Sequence, residues 1–176
     1  MIETSCTVAT SGLVAWSLFA GISAHEMEEF VWPGGFRAWY IRHSPSVERS
    51  MSKRFLIGIN AVVLLAAAMA AWRFASPSMR FLWLTVGSAA AFNGLWHLQA
   101  TLRTRRYSPG VVTGALVQVP LVFYGFTHFM RCDWISPRHA ISAAAYGAAY
   151  WIIAEGRKLL KRERPAAGRT HLSVLR

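Results

Sequence analysis

Five apolar runs, each about as long as a bilayer is thick, constrain this chain more than any other feature. A helix needs roughly 20 mostly apolar residues to cross a hydrocarbon core of about 30 Å. Residues 8–30, 55–76, 79–101, 111–130 and 137–156 each meet that length. A helical span satisfies its backbone N–H and C=O groups internally, so it is one of the few structures that lipid tolerates. With 54% hydrophobic and 15% charged residues in a chain of 176, little sequence is left for a soluble domain. The expectation is an all-α, five-span transmembrane helical bundle over residues 1–156 and a basic tail over residues 157–176. Any chemistry then sits among the helices.

Charge asymmetry orients such a bundle. The formal net charge is +11, and most of it lies on one side. The first connection carries Arg37, Arg42, Arg49, Lys53 and Arg54, and the third carries Arg103, Arg105 and Arg106. The tail adds Arg157, Lys158, Lys161, Arg162, Arg164, Arg169 and Arg176, whereas only Arg73, Arg80, Arg131 and Arg138 fall on the other side. The positive-inside rule puts the N terminus outside and the C terminus in the cytoplasm, as an odd number of spans requires. A bacterial inner membrane is the expected location. The basic tail reads as an anionic-lipid contact or topology anchor, and no nucleic-acid partner is expected. The first span lacks a basic n-region and outruns a signal-peptide core, so it reads as a retained helix. Cys6 and Cys132 fall on the outer side. Two separate thiols are the expectation, with a disulfide as the alternative on an oxidising face.

Helix breakers mark the boundaries. Pro33-Gly34-Gly35 ends the first run, Ser108-Pro109-Gly110 precedes the fourth and Ser136-Pro137 the fifth. Phe36 to His43 mixes aromatic and basic residues and suits headgroup depth. Pro120 predicts a kink inside the fourth span.

Within this frame the ionisable and amide side chains fall at one depth. At 1.5 Å per residue, His25 and Glu29 lie roughly 25–30 Å from the outer face, Asn93 and His97 roughly 18–24 Å, and Glu155 about 24 Å. Asn60 and Gln118 lie roughly 8–10 Å from the inner face. His25, Glu28 and Glu29 share an arc of one helix, as Asn93 and His97 do of another. Ionisable groups at such depth point to function, because hydrocarbon penalises them unless an ion, partner or water satisfies them. Imidazole and carboxylate are ligands for zinc and iron, so His25, Glu28, Glu29 and His97 are the candidate metal ligands and catalytic residues. Asn93, Asn60, Gln118, Tyr107, Thr113 and Glu155 are candidate supporting or substrate contacts.

Plainer roles compete with these. Glu28 and Glu29 near the interface can pair with Arg37 or Arg42, His97 and Asn93 can join helices by hydrogen bonds, and Glu155 can pair with Arg157 or Lys158. Tyr107 and Thr113 suit a turn as well as a substrate head. His128, His139 and Asp133 read as interfacial residues. Trp16, Trp72, Trp83 and Trp96 read as belt or packing residues, with lining of an apolar cavity as the alternative.

Three segments give the chain a resemblance. His25-Glu26-Met27-Glu28-Glu29 has an H-x-x-E-E pattern, Asn93 to His97 an N-x-x-x-H element, and Arg103 to Thr113 an R-x-x-x-Y-x-P-G-x-x-T element. In that order the sequence resembles the membrane-protein family named for its HXXEE motif, over about residues 20–115. The resemblance strengthens the site assignment and implies no particular reaction.

The expected function is that of a membrane metalloenzyme, with zinc or iron as cofactor, acting on a hydrophobic lipid-like or isoprenoid-like substrate near the cytoplasmic face. Its reaction is left open between hydrolysis and oxidation, and membrane lipids are its surroundings. The alternatives are a metal-free acid/base cyclase or isomerase of a polyene, a proton-coupled or metal transporter, and an accessory lipid-binding subunit. No phosphate loop, nucleophile elbow or dinucleotide fingerprint appears, which argues against nucleotide-driven chemistry.

Overall fold

The computed structural model describes residue 6 and residues 8–31, 35–43 and 52–162. The fold is all-α, with α1 (Val8–Val31), α2 (Gly35–His43), α3 (Lys53–Trp72), α4 (Pro77–Thr104), α5 (Val111–Arg131) and α6 (Pro137–Arg162). The five apolar runs coincide with α1, α3, α4, α5 and α6, and the aromatic-basic stretch forms α2. Of these, α3 and α5 are long and apolar enough to cross a membrane. The glutamates of α1, the polar Asn93 and His97 of α4 and the basic end of α6 set those helices apart in composition.

Local signals explain the boundaries. Ser52 caps α3 by accepting the Phe55 N–H at 3.1 Å, and Pro77 opens α4, where its missing N–H costs nothing. Pro120 gives a π-turn over Gly114–Gln118 where a kink was expected. Proline cannot donate to the Leu116 carbonyl, and the wide turn shifts the hydrogen-bond register ahead of it.

Helix α4 is the centre of the bundle, packing against α6, α3, α5 and α1. Its Trp83 is fully buried against Phe129 and donates its indole N–H to the Ala15 carbonyl at 3.1 Å. Close approach is set by glycine. A Cβ on Gly94 would stand 2.5 Å from the Gly114 carbonyl carbon, and one on Gly125 would stand 2.2 Å from the Trp83 ring. Backbones therefore touch where α4 crosses α5, in the small-residue manner of membrane helices. The outer surface is apolar: Leu13, Phe55, Val62, Leu65, Leu116, Phe123, Ile141 and Ile152 are all exposed.

Several expectations are corrected. Cys6 and Cys132 form a disulfide, with Cα atoms 5.7 Å apart, because the start of α1 and the end of α5 meet at one end of the bundle. His128 is buried rather than interfacial, stacked on Tyr124 and beside Phe129 and Trp134. His139 is exposed and bonded to Ser136. Trp16 and Trp72 face outward, at 43% and 79% exposure, in keeping with the belt reading. Helix α6 continues to Arg162, and the rest of the expected tail, residues 163–176, lies outside the described residues.

Gly94→Ala is expected to lower stability by about 1–3 kcal/mol, since the added methyl has no room. A fall in melting temperature of the detergent-solubilised protein would register it, and unchanged melting would deny the Gly94–Gly114 crossing its role.

Candidate metal centre

The last turns of α1 carry His25, Glu28 and Glu29, and helical spacing sends His25 and Glu29 to one side, toward α4. There Glu29 Oε1 lies 3.4 Å from His25 Nε2 and 2.9 Å from His97 Nε2. One donor atom from each of the three residues falls within 4.8 Å of the other two. All three are buried, His97 completely.

Glu28 turns elsewhere. Its carboxylate accepts hydrogen bonds from the backbone N–H groups of Gly110 at 2.9 Å, Val112 at 3.1 Å and Thr113 at 2.8 Å. The Thr113 hydroxyl donates to it at 2.5 Å, and the Tyr107 hydroxyl donates as well. Every partner is a donor, so the group acts in its ionised, acceptor-only form. It sits on the unsatisfied N–H groups that open α5, the end of a helix that attracts an anion. Both of its oxygens are engaged there, away from the His25/Glu29/His97 cluster. Burial first, and then the adjoining Glu28 carboxylate, hold the Tyr107 phenol above its usual pKa, so it remains a donor at neutral pH.

Following the protons fixes His25. The Thr113 hydroxyl gives its proton to Glu28, so toward His25 it can only accept. The 3.0 Å contact of His25 Nδ1 with Thr113 Oγ1 is therefore an Nδ1–H donation, leaving a lone pair on Nε2. Asn93 Nδ2 donates to that lone pair at 2.8 Å. His97 Nδ1 meets the Ser108 hydroxyl at 2.9 Å. Nε2 of His97 donates to the Glu29 carboxylate at 2.9 Å, and Ser108, which can donate or accept, satisfies Nδ1 in this tautomer and in the one that would free Nε2 for an ion. Holding each Nδ1 on a hydroxyl aims both Nε2 atoms at Glu29, the outer-shell arrangement that orients metal-binding histidines.

The remaining residues surround this centre. Gly110, at φ 101°, passes so close that a Cβ would stand 2.7 Å from His25 Cε1 and 3.0 Å from His97 Nε2. Phe36 of α2 packs edge-on against His97 at 5.0 Å, and with Tyr40 and Trp96 forms an aromatic roof. Asn60 is not at the centre: it donates to Glu26 instead, a pair joining α3 to α1. Gln118 is buried on α5. Glu155 belongs to α6, and its side chain lies outside the described residues.

The donor set suits a divalent ion. Metal–ligand bonds of about 2.0–2.1 Å put tetrahedral donors about 3.3 Å apart, close to the 2.9 and 3.4 Å found. An ion at this point would take the place of the Asn93 proton on His25, and the Glu29 charge would offset its own.

Residues 16–125 match the family described as proteins of unknown function with HXXEE motif. The chain belongs to the HXXEE family. No match to it was found among curated proteins or solved structures. The geometry gives the HXXEE pattern a division of labour. The His and final Glu enter the centre, and the first Glu of the pair anchors α5. Of the R-x-x-x-Y-x-P-G-x-x-T element, Tyr107, Gly110 and Thr113 form the receptor for Glu28, while Pro109 is buried and Arg103 exposed.

Sequence reading missed Ser108, Gly110, Gly114 and Phe36 as parts of this HXXEE centre. For the glycines the signal was the invitation to close approach; for Ser108 and Phe36 there was none, because their roles arise only from packing.

Thr113→Val keeps the side-chain shape but deletes the hydroxyl shared by Glu28 and His25. The expected loss is about 1.5–3 kcal/mol, the range for hydrogen bonds to charged groups. Thermal unfolding should show it, with Thr113→Ser recovering most of the difference; equal damage from both substitutions would contradict the hydroxyl's role.

Proposed function

We propose that this protein is an integral-membrane, metal-dependent enzyme that acts on a hydrophobic, lipid-like substrate at the His25/Glu29/His97 centre, near the cytoplasmic face. The observation that carries the reading is the convergence of two imidazole Nε2 atoms and one buried carboxylate oxygen, with each Nδ1 tied to a hydroxyl. Two histidines and one carboxylate form the ligand set of several zinc hydrolases and of iron oxygenases.

A five-span arrangement is favoured by the apolar outer surface of the bundle, by the two helices long and apolar enough to cross, and by the lopsided arginines. The disulfide agrees with it. Cys6–Cys132 joins the start of α1, far along that helix from His25, and disulfides persist on the oxidising side of a membrane.

His25, Glu29 and His97 would hold the ion. Bound zinc would supply Lewis-acid activation for hydrolysis, and iron would supply oxidation. The protein's own groups do the rest. Glu28 and Thr113 keep His25 in one tautomer, Ser108 satisfies Nδ1 of His97 in either tautomer, and Phe36, Tyr40 and Trp96 give the centre an apolar wall. A second reading, metal-free acid/base catalysis, is favoured by the 2.9 Å contact of His97 with Glu29, a complete proton-sharing pair without an ion.

Elemental analysis of the purified protein decides between them. About one divalent ion per chain is expected in the wild type, and its loss in each of His25→Ala, Glu29→Ala and His97→Ala, with helicity retained. Wild-type protein free of metal yet active would reject the metal centre. Mass spectrometry of lipid extracts should show a species whose mass changes only in cells carrying the intact centre; a species merely relocated across the membrane would indicate transport.

A further inference from the structure

Among the described residues, three buried side-chain polar atoms have no hydrogen-bond partner: Gln118 Oε1, Trp39 Nε1 and Arg80 Nε. Arg80 stands apart. It lies over Trp134 and donates through Nη2 to the Ala75 carbonyl, about 25 Å along α4 from His97. The other two belong to elements that wall the centre, Trp39 to α2 and Gln118 to α5.

Gln118 is 1% exposed. It occupies the inward stripe of α5 with Gly114, Val122 and Gly125, all buried. One turn toward the start of α5, Gly114 abuts Gly94 and His25; one turn further on, Val122 packs at Gly87 beside Leu18. Gln118 is therefore the layer between the His25 level and the apolar core, the floor of the centre. An apolar side chain would fill this place without cost, whereas an unpaired buried amide costs stability. The amide supplies one acceptor oxygen and two N–H donors. A hydroxyl matches both: it donates to Oε1 and accepts from Nε2. A carboxylate or an ether cannot donate and leaves Oε1 unpaired.

We propose that Gln118 is a substrate-binding residue that holds the hydroxyl group of an otherwise apolar molecule, so that the substrate class is a hydrophobic alcohol. The proposal rests on reading the His25/Glu29/His97 centre as a substrate site. The hydroxyl end then lies about 5 Å along α5 from the point where Gly114 meets His25, one helical turn. Discrimination comes from the orphaned oxygen, since a site built to pair a hydroxyl rejects analogues that lack it.

Thermal unfolding of the full-length protein in detergent tests this with 1-dodecanol, dodecane and dodecyl methyl ether as probes. Dodecanol should raise the wild-type melting temperature, and the alkane and ether should not. Gln118→Met keeps the unbranched shape and should bind dodecanol at least about tenfold more weakly, the worth of one well-made hydrogen bond. Without additive it should melt at or above the wild-type temperature, because an unpaired buried amide is gone; Gln118→Leu repeats the test with a different shape. Lower melting of both variants would mark Gln118 as helix-joining glue and overturn the proposal. So would a wild type indifferent to dodecanol, or equal responses in wild type and variants. Metal content of the same samples separates the two readings. Normal metal without a dodecanol response fails the Gln118 assignment alone, and a dodecanol response without metal fails the metal centre alone.

Discussion

The structure depends on one carboxylate, that of Glu28, placed at the start of another helix. Glu28 leaves α1 and accepts the N–H groups of Gly110, Val112 and Thr113, donors that an α-helix cannot satisfy at its own first turn. The helix start leaves those N–H groups without a partner of its own, and a helix N-terminus favours an anion. Each solves the other's problem. Because Glu28 is fixed to residues 107–113, the segment carrying Ser108, Gly110 and Thr113 is fixed to α1, and its hydroxyls reach His25 and His97 at 3.0 and 2.9 Å. The orientation of both imidazoles thus derives from an interaction in which neither takes part.

A second constraint acts with it. The α4–α5 crossing at Gly94 and Gly114 has no room for a Cβ on either side, so the helices meet backbone to backbone. Asn93 and His97 flank Gly94, and Gly114 follows Thr113 directly. The same contact that packs the helices therefore brings the α4 ligands to the α1 ligands. Where the backbones are closest, the side chains around them are polar; where α4 carries Trp83, α5 supplies Gly125 to receive it. Stability and site geometry share these positions, so residues that never touch a ligand still set the distance between His97 and Glu29.

Much of this was legible in the residues. Apolar runs and their breakers located the long helices, since length and periodicity are local properties. Helical spacing grouped His25 with Glu29 and Asn93 with His97, and depth put the two pairs at one level. The roles of Glu28 and Glu29 were not separable that way. They are neighbours with the same chemistry, and a rotation of about 100° between adjacent residues sends one into the centre and the other to α5. Which goes where depends on what each direction offers. Asn60 matched the right depth on the wrong azimuth and meets Glu26 instead, and the Cys6–Cys132 pairing required knowing that two distant chain segments end together.

The sequence by itself determined an all-helical chain with its chemistry-bearing groups on a few helices at one level, because hydrophobic periodicity and chain punctuation act over a turn or two. It also determined membership in the HXXEE family, whose pattern is written in consecutive residues. Only the tertiary structure decided that Glu28 anchors while Glu29 joins His25 and His97, that Thr113 sets the tautomer of His25, and that the amide oxygen of Gln118 is buried without a partner. Those outcomes depend on donors and acceptors from different helices arriving within about 3 Å of one another, the range over which a hydrogen bond forms. A sequence reading fixes positions along each helix to about a turn, and that is too coarse to tell a ligand from its support.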